Sequence, residues 1–291
     1  MIPPEFDYRA ASSVDEAIGL LQKNPGESKI LAGGQSLLPL MKLRLAEPKV
    51  LIDISRIPTL SYIQENADSL VLGAATKIND LNESKLIGGR YPLLADAAMH
   101  IADPLVRNMG TVGGNVCHGD PGNDLPACML ALGARYAIKG PKGSRTVLAS
   151  DFYRDTFVTA LDQSELLTEV QIPKAQPGDG GAYLKMERKV GDFAIAAVAV
   201  QLRLDGQGAV SQAGIALTNV GPTALLAPKA AAQLIKKKPT EADIAATGRL
   251  AAEAAQPTAD LRGPADFKRG VVATLTQRAV KIAWTRAGGR S

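Results

Sequence analysis

Leu31-Ala32-Gly33-Gly34-Gln35-Ser36 and Thr111-Val112-Gly113-Gly114-Asn115 decide the reading of this 291-residue chain. Each glycine pair lies between an apolar, strand-like run and a helix start. Without Cβ atoms, successive amide N–H groups can converge on an anion, and the chain can turn through positive φ. Paired glycines also mark ordinary turns and bulges, but two such loops in one chain predict a cradle for a diphosphate, with the Ser36 and Thr111 hydroxyls as further donors. Neither loop contains a basic residue, so neutral amides must supply the stabilisation, which fits a dinucleotide better than triphosphate chemistry. There is no G-x-x-x-x-G-K-[ST] and no G-x-G-x-x-G after a strand, so neither a P-loop nor a Rossmann fingerprint holds the ligand.

Around the first loop, Ser13 and Glu16 have capping-box spacing and open a helix through Ala17, Ile18 and Leu21. A strand at 29–32, a helix entered at Ser36 with Pro39 in its first turn, and a strand at 50–54 complete an α/β unit. A strand at 69–74, a helix from Thr76 through Leu86 and another at 93–101 follow. Asp103-Pro104, as N-cap and N1 proline, then delivers the chain to the second loop. Asp124 and Pro126 open a helix to Leu132, and strands are expected at 135–139, 145–148 and 166–172.

Lys174-Ala175-Gln176-Pro177-Gly178-Asp179-Gly180-Gly181 has no apolar periodicity and reads as a linker. It divides the chain into 1–177, with lobes of about 1–56 and 57–177, and 178–291. Beyond it, strands at 182–190, 193–204 and 210–219 precede helices at 227–238, 240–255 and 264–286. The expected class is α+β, ending in a three-stranded antiparallel sheet with helices packed on one face.

Composition narrows the function. Apolar residues make up 46% of the chain and the net charge is only +4, which does not point to nucleic acid. The one dense basic run, Lys236-Lys237-Lys238, is expected at the carbonyl end of a helix dipole. Two cysteines, Cys117 and Cys128, without C-x-x-C spacing indicate a reducing compartment. The start has no signal-peptide pattern and no run is long enough to span a membrane, so a cytoplasmic location is expected. His100, Cys117, His118 and Cys128 lack zinc-ligand spacing, and Ser36 with His118 has no nucleophile-elbow context.

Several ordered segments together resemble the flavin-binding medium subunit of the molybdenum hydroxylases, the xanthine dehydrogenase and aerobic carbon monoxide dehydrogenase family. They are Ala32 to Leu37, Ile101-Ala102-Asp103-Pro104-Leu105-Val106-Arg107-Asn108, Thr111 to Asn115 and Gly119-Asp120-Pro121-Gly122-Asn123-Asp124-Leu125-Pro126. Looser matches are Gly191-Asp192-Phe193-Ala194 and Leu261-Arg262-Gly263-Pro264. The resemblance implies a two-lobed FAD-binding domain of the vanillyl-alcohol-oxidase (PCMH) type that holds FAD noncovalently. It implies diphosphate and ribityl contacts from Ala32, Gly33, Gly34, Gln35, Ser36, Thr111, Val112, Gly113, Gly114 and Asn115, with Leu31 and Ile101 beside them. Asp124 is implied as a hydrogen-bonding partner in the same pocket, and Leu167 and Lys185 as neighbours of the flavin ring. Phe193 stands where carbon monoxide dehydrogenase relatives tend to have tyrosine, so a phenol hydrogen bond is lost there.

Two cysteines cannot supply four thiolates to an iron–sulfur cluster. The resemblance therefore implies [2Fe-2S] clusters and a molybdenum cofactor in partner subunits, a small and a large one, arranged as a dimer of heterotrimers. In this reading the chain passes electrons from those clusters through FAD to an external acceptor. It contributes no catalytic acid or base and no metal ligand. Two alternatives stay open: a self-contained flavin oxidase roofed by the C-terminal domain, and a non-catalytic nucleotide-binding assembly protein.

Overall fold

In a computed structural model that describes residues 2–289, the chain alternates short strands and helices before settling into a single antiparallel sheet. In order the elements are β1 (Asp7–Ala10), α1 (Val14–Lys23), β2 (Ser28–Leu31), α2 (Leu37–Lys42), β3 (Val50–Asp53), β4 (Ile63–Glu65) and β5 (Ser69–Gly73). Helices α3 (Ile78–Glu83), α4 (Lys85–Arg90), α5 (Pro92–His100), α6 (Pro104–Arg107), α7 (Val112–Cys117) and α8 (Asp124–Leu132) follow. Then come β6 (Arg135–Gly140), β7 (Gly143–Leu148), α9 (Ala149–Phe152), β8 (Tyr153–Asp155), β9 (Val158–Thr159) and β10 (Leu166–Pro173). The last part holds β11 (Asp179–Met186), β12 (Ala196–Leu204), β13 (Val210–Thr218), β14 (Leu225–Leu226), α10 (Pro228–Ala232), α11 (Glu241–Ala254) and α12 (Ala265–Arg286).

The first lobe is a parallel sheet in the order β1-β3-β2, with Val50 in register with both Asp7 and Ser28. Ile52 and Ile54 meet Ala17, Ile18 and Leu21 of α1 in its core. The helix starts where Ser13 accepts from the Glu16 N–H, but the Glu16 carboxylate reaches back to the Ser12 amide and hydroxyl instead of Ser13. The second lobe is a five-stranded antiparallel sheet, β4-β5-β10-β6-β7, packed on α7 and α8. The single helix expected from Thr76 through Leu86 is broken at Ser84, whose hydroxyl caps α4 by accepting from the Ile87 N–H.

The C-terminal sheet, β11-β12-β13-β14, has four strands instead of three, because Leu225–Leu226 adds a short edge. Strand β11 begins at Asp179, so the chain is already paired within the expected linker. Alternation decides which face meets what. Val198, Val200, Leu202, Ile215 and Leu217 point at the apolar faces of α10 and α12, on which α11 packs in turn. Ala197, Ala199 and Ala216 point the other way and join the core of the second lobe. The expected helices thus cover one face, while the first part of the chain covers the other. Lys236 has φ +62 and lies beyond the end of α10 at Ala232, so the basic run is not in a helical last turn; Lys237 pairs with Asp243 at 2.8 Å instead.

Small side chains on that shared face let α8 approach closely. A Cβ on Gly214 of β13 would overlap the Ala131 carbonyl of α8. Gly214→Val should therefore lower the melting temperature by several degrees, on the order of 1–3 kcal/mol of overpacking, read by calorimetry. An unchanged midpoint would contradict this packing.

Candidate functional site

The first glycine loop leaves β2 at Leu31, whose carbonyl accepts from Ile54 N–H at 3.0 Å and ties the strand end to β3. Gly34 turns the chain at φ +72. Gly33 is pressed against the Met109 carbonyl and the Gly110 α-carbon, with no room for a Cβ. Among the described residues, the N–H groups of Gly33, Gly34, Gln35 and Ser36 reach no protein acceptor. Ser36 stands at the N-cap of α2 but makes no side-chain capping bond, so its hydroxyl also stays free of the helix. This loop is a set of four successive unspent amides.

The second loop behaves differently. Val112 N–H donates to Thr76 O at 2.9 Å, Gly113 to Ala74 O at 2.8 Å, and Asn115 to Thr111 O at 2.9 Å. Gly114 N–H donates to Thr111 Oγ1 at 3.0 Å. The expectation that both loops gather free amides is therefore corrected: the second is the first turn of α7, and its donors are already used. Its contribution is shape. A Cβ on Gly113 would lie 2.6 Å from Ala74 O, so this glycine lets α7 rest on the end of β5. The Cβ position of Gly114 is 4.0 Å from the Ala32 methyl, which sets the two loops face to face.

Between them runs a cleft of 510 Å³ whose lining includes Ala32, Gly33, Gly34, Ser36, Gly113, Gly114 and Leu167. Leu21, Ile30, Ile54 and Leu166 form its apolar parts, Lys29, Asp162, Gln163 and Glu165 its polar ones, and every residue lining it falls between Leu21 and Leu167. Beside it, Asn115 Oδ1 is buried without a partner, while Asn123 Nδ2 donates to the Asn115 carbonyl at 2.8 Å. A slot of mixed lining, with unspent amides on one wall and close-approach glycines on the other, has the features of a site for an anionic, ring-bearing ligand.

Comparison with known proteins identifies the ligand of this part of the chain. A family model described as the FAD binding domain in molybdopterin dehydrogenase matches residues 4–175, and one described as the CO dehydrogenase flavoprotein C-terminal domain matches 181–283. The chain belongs to the FAD-binding subunits of molybdopterin dehydrogenases. It is 46% identical to the carbon monoxide dehydrogenase medium chain of Hydrogenophaga pseudoflava over 98% of this chain and 99% of that one. Identity to the corresponding chain of Afipia carboxidovorans is 42%, covering 99% of both. The solved carbon monoxide dehydrogenase from H. pseudoflava that lacks the Mo-pyranopterin moiety superposes with a TM-score of 0.96 at 48% identity, covering 98% of this chain and 99% of that one.

In this FAD-binding subunit, the other residues singled out in the sequence are not gathered at the slot. Leu31, Gln35, Thr111, Val112 and Asn115 are chain neighbours of lining residues without lining it themselves. Ile101 is buried in the core of the second lobe. Asp124 and Lys185 face each other in a buried ion pair: Lys185 Nζ is 3.2 Å from Asp124 Oδ1, 3.0 Å from the His100 carbonyl and 3.4 Å from Glu187 Oε2. Tyr183 donates its hydroxyl to Asp124 Oδ1 at 2.6 Å. Burial pushes the Asp124 carboxyl up, against the pull of Lys185 and Tyr183. The structure thus places this pair in the seam between the FAD-binding part and β11, apart from the slot lining, and shows Tyr183 and Glu187 as partners the sequence reading missed. Their signal was present in strand periodicity, since 183, 185 and 187 share one side of an extended chain. Phe193 is half exposed, with the Arg262 guanidinium 5.9 Å from its ring centre.

Among the described residues no group of three or more His, Cys, Asp or Glu side chains could hold a metal. No described helix is long and apolar enough to cross a membrane. His118 and Cys117 line the slot instead. Burial pushes the Cys117 thiol up to about 12, which keeps it protonated and unreactive at neutral pH.

The two loops predict different responses to substitution. Gly114→Val places its methyls in the slot and should lower FAD affinity at least about tenfold, the order of one lost ligand contact, with a modest fall in melting temperature because its Cβ also comes 2.8 Å from the Thr111 hydroxyl that caps α7. Gly33→Ala should lower both, because the new methyl meets Met109 main chain; equilibrium flavin titration and calorimetry on each variant separate the two. Burial also lowers the His118 pKa from 6.5. The unfolded chain gains this proton below pH 6.5 and the folded chain does not, so stability falls as the pH drops from there to the lowered value. His118→Gln should flatten that part of the melting-temperature profile.

Proposed function

We propose that this subunit collects electrons from iron–sulfur clusters in a small partner subunit and hands them to an external acceptor. Its substrate would be oxidised at a molybdenum cofactor in a large partner subunit, with the three chains forming a dimer of heterotrimers in the cytoplasm. Full-length similarity to medium chains of carbon monoxide dehydrogenases carries this reading and supports carbon monoxide as the first substrate to test on the complex. The two-cysteine count supports it, since cluster thiolates must come from elsewhere.

The division at 177/178 and the contacts of Leu31 to Ser36, Ile101, Thr111 to Asn115, Asp124, Leu167 and Lys185 belong to the same reading. In it, the amides of Gly33 to Ser36 hold the diphosphate, Gly114 lets it approach α7, and Leu166 and Leu167 exclude water from the slot. Asp124 and Lys185 would act on the flavin only from the interdomain seam, as a compensated ion pair that fixes β11 against the FAD-binding part. Bound FAD supplies the exchange between one-electron donors and a two-electron acceptor. A self-contained oxidase fits less well, because no C-terminal residue among those described lines the slot to roof it.

Co-expression with the two partner chains should give a yellow complex containing iron and molybdenum, whose flavin absorbance bleaches anaerobically when carbon monoxide is added. Bleaching by an aldehyde or an N-heterocycle but not by carbon monoxide would reassign the substrate. Substrate-dependent bleaching of this chain alone would overturn the electron-transfer role. A complex in which dithionite reduces no flavin would leave only a nucleotide-binding assembly role.

A further inference from the structure

Phe157 occupies the turn between β8 and β9 with φ +58 and is 56% exposed. A bulky residue in the left-handed region is a backbone outlier that costs stability, and an exposed phenyl ring returns little of it. The conformation is nevertheless well buttressed. Phe157 N–H donates to the Gly119 carbonyl at 2.9 Å, and Gly119, at φ +67, leaves no slack for a Cβ, whose nearest neighbours would be Phe157 main-chain atoms at 3.2 Å. On the other side the Thr156 hydroxyl donates to the Pro222 carbonyl at 2.8 Å. Held this way, the ring lines the same slot as the glycine loops, and among the described lining residues it is the only Phe, Tyr or Trp. Among the described residues its aromatic neighbour is the His118 imidazole, 5.1 Å away and tilted by 49°.

A strained, buttressed aromatic whose exposed surface opens into a ligand slot has the properties of a stacking platform. We propose that Phe157 stacks against a planar heteroaromatic ring of the dinucleotide whose diphosphate lies at Gly33 to Ser36. This rests on the reading of the slot as the FAD site and adds a residue to it. The ring chemistry is common to adenine and to isoalloxazine, and truncated ligands tell them apart.

The test uses the assembled complex stripped of flavin and titrated with FAD, FMN and ADP. Phe157→Gly removes the ring and also relieves the left-handed strain, so its flavin-free melting temperature should not fall. Its FAD dissociation constant should rise about tenfold, within the range of base–aromatic stacking, and Phe157→Tyr should restore it. If adenine stacks on the ring, ADP affinity falls with that of FAD while FMN is unaffected. If isoalloxazine does, FMN affinity falls, ADP is unaffected and the bound flavin spectrum shifts. Unchanged affinity for all three ligands in Phe157→Gly, with FAD lost in Gly114→Val, would overturn the platform alone. Unchanged FAD affinity in both variants would overturn the slot assignment and the platform with it.

Discussion

Main chain touches main chain at Gly33, where the loop after β2 meets Met109 and Gly110 with no side chain between them. This contact fixes the separation of the two lobes, and the slot is the space that remains beside it. One methyl at residue 33 would push the lobes apart beside the slot. Close approach here also explains why the two glycine loops, so alike in sequence, have different tasks. The first loop is anchored through its carbonyls, Leu31 to Ile54 and Gly34 and Ser36 to α2, and its amides from Gly33 to Ser36 stay unspent. The second is anchored along its length to Thr76, Ala74 and Thr111, so it can offer a surface but few donors.

The seam between the FAD-binding part and the C-terminal sheet is polar where it could have been apolar. Asp96 receives the Arg286 guanidinium at 2.6 Å and the Tyr183 N–H at 3.2 Å, a few ångströms along β11 from the buried Asp124–Lys185 pair. Such a pair repays its desolvation only with good geometry and extra hydrogen bonds. Here the bonds from Tyr183 to Asp124 and from Lys185 to the His100 carbonyl supply them. Alanines and Gly214 on the same face bring the sheet close without selecting its register. The charged pairs do select it, because a slip of one residue along β11 would turn Tyr183 and Lys185 away from Asp124.

Periodicity and turn chemistry made most elements legible in the sequence: the α/β unit around Gly33-Gly34, the Asp103-Pro104 entry to α6, and the long terminal helices. What failed was settled by contacts distant in sequence. Nothing local distinguishes an unspent amide at Gly34 from a spent one at Gly113, since Ala74 is the acceptor that decides it. Asp124 reads as a pocket residue beside a helix start, and only the fold brings Lys185 across to it. Phe157 lies in an irregular segment without periodic signal, so neither its backbone conformation nor its exposure could be foreseen. The fourth strand, Leu225–Leu226, is too short to show alternation and exists because β13 offers it an edge.

Although no C-terminal residue lines the slot, the C-terminal sheet still acts on it through the backbone. Asn219, at φ +60 just beyond β13, donates its N–H to the Pro121 carbonyl at 2.8 Å, and its side-chain amide donates to the Ala194 carbonyl. The first bond holds the 119–122 segment, which carries His118 on one side and supports Phe157 through the Gly119 carbonyl on the other. Pro222, three residues after Asn219, receives the Thr156 hydroxyl on the far flank of the same turn. The wall that faces the glycine loops is therefore held in place by a domain that does not enter the slot. A change that loosens the sheet at Asn219 would act on the slot by freeing this wall, with the glycine loops themselves left intact.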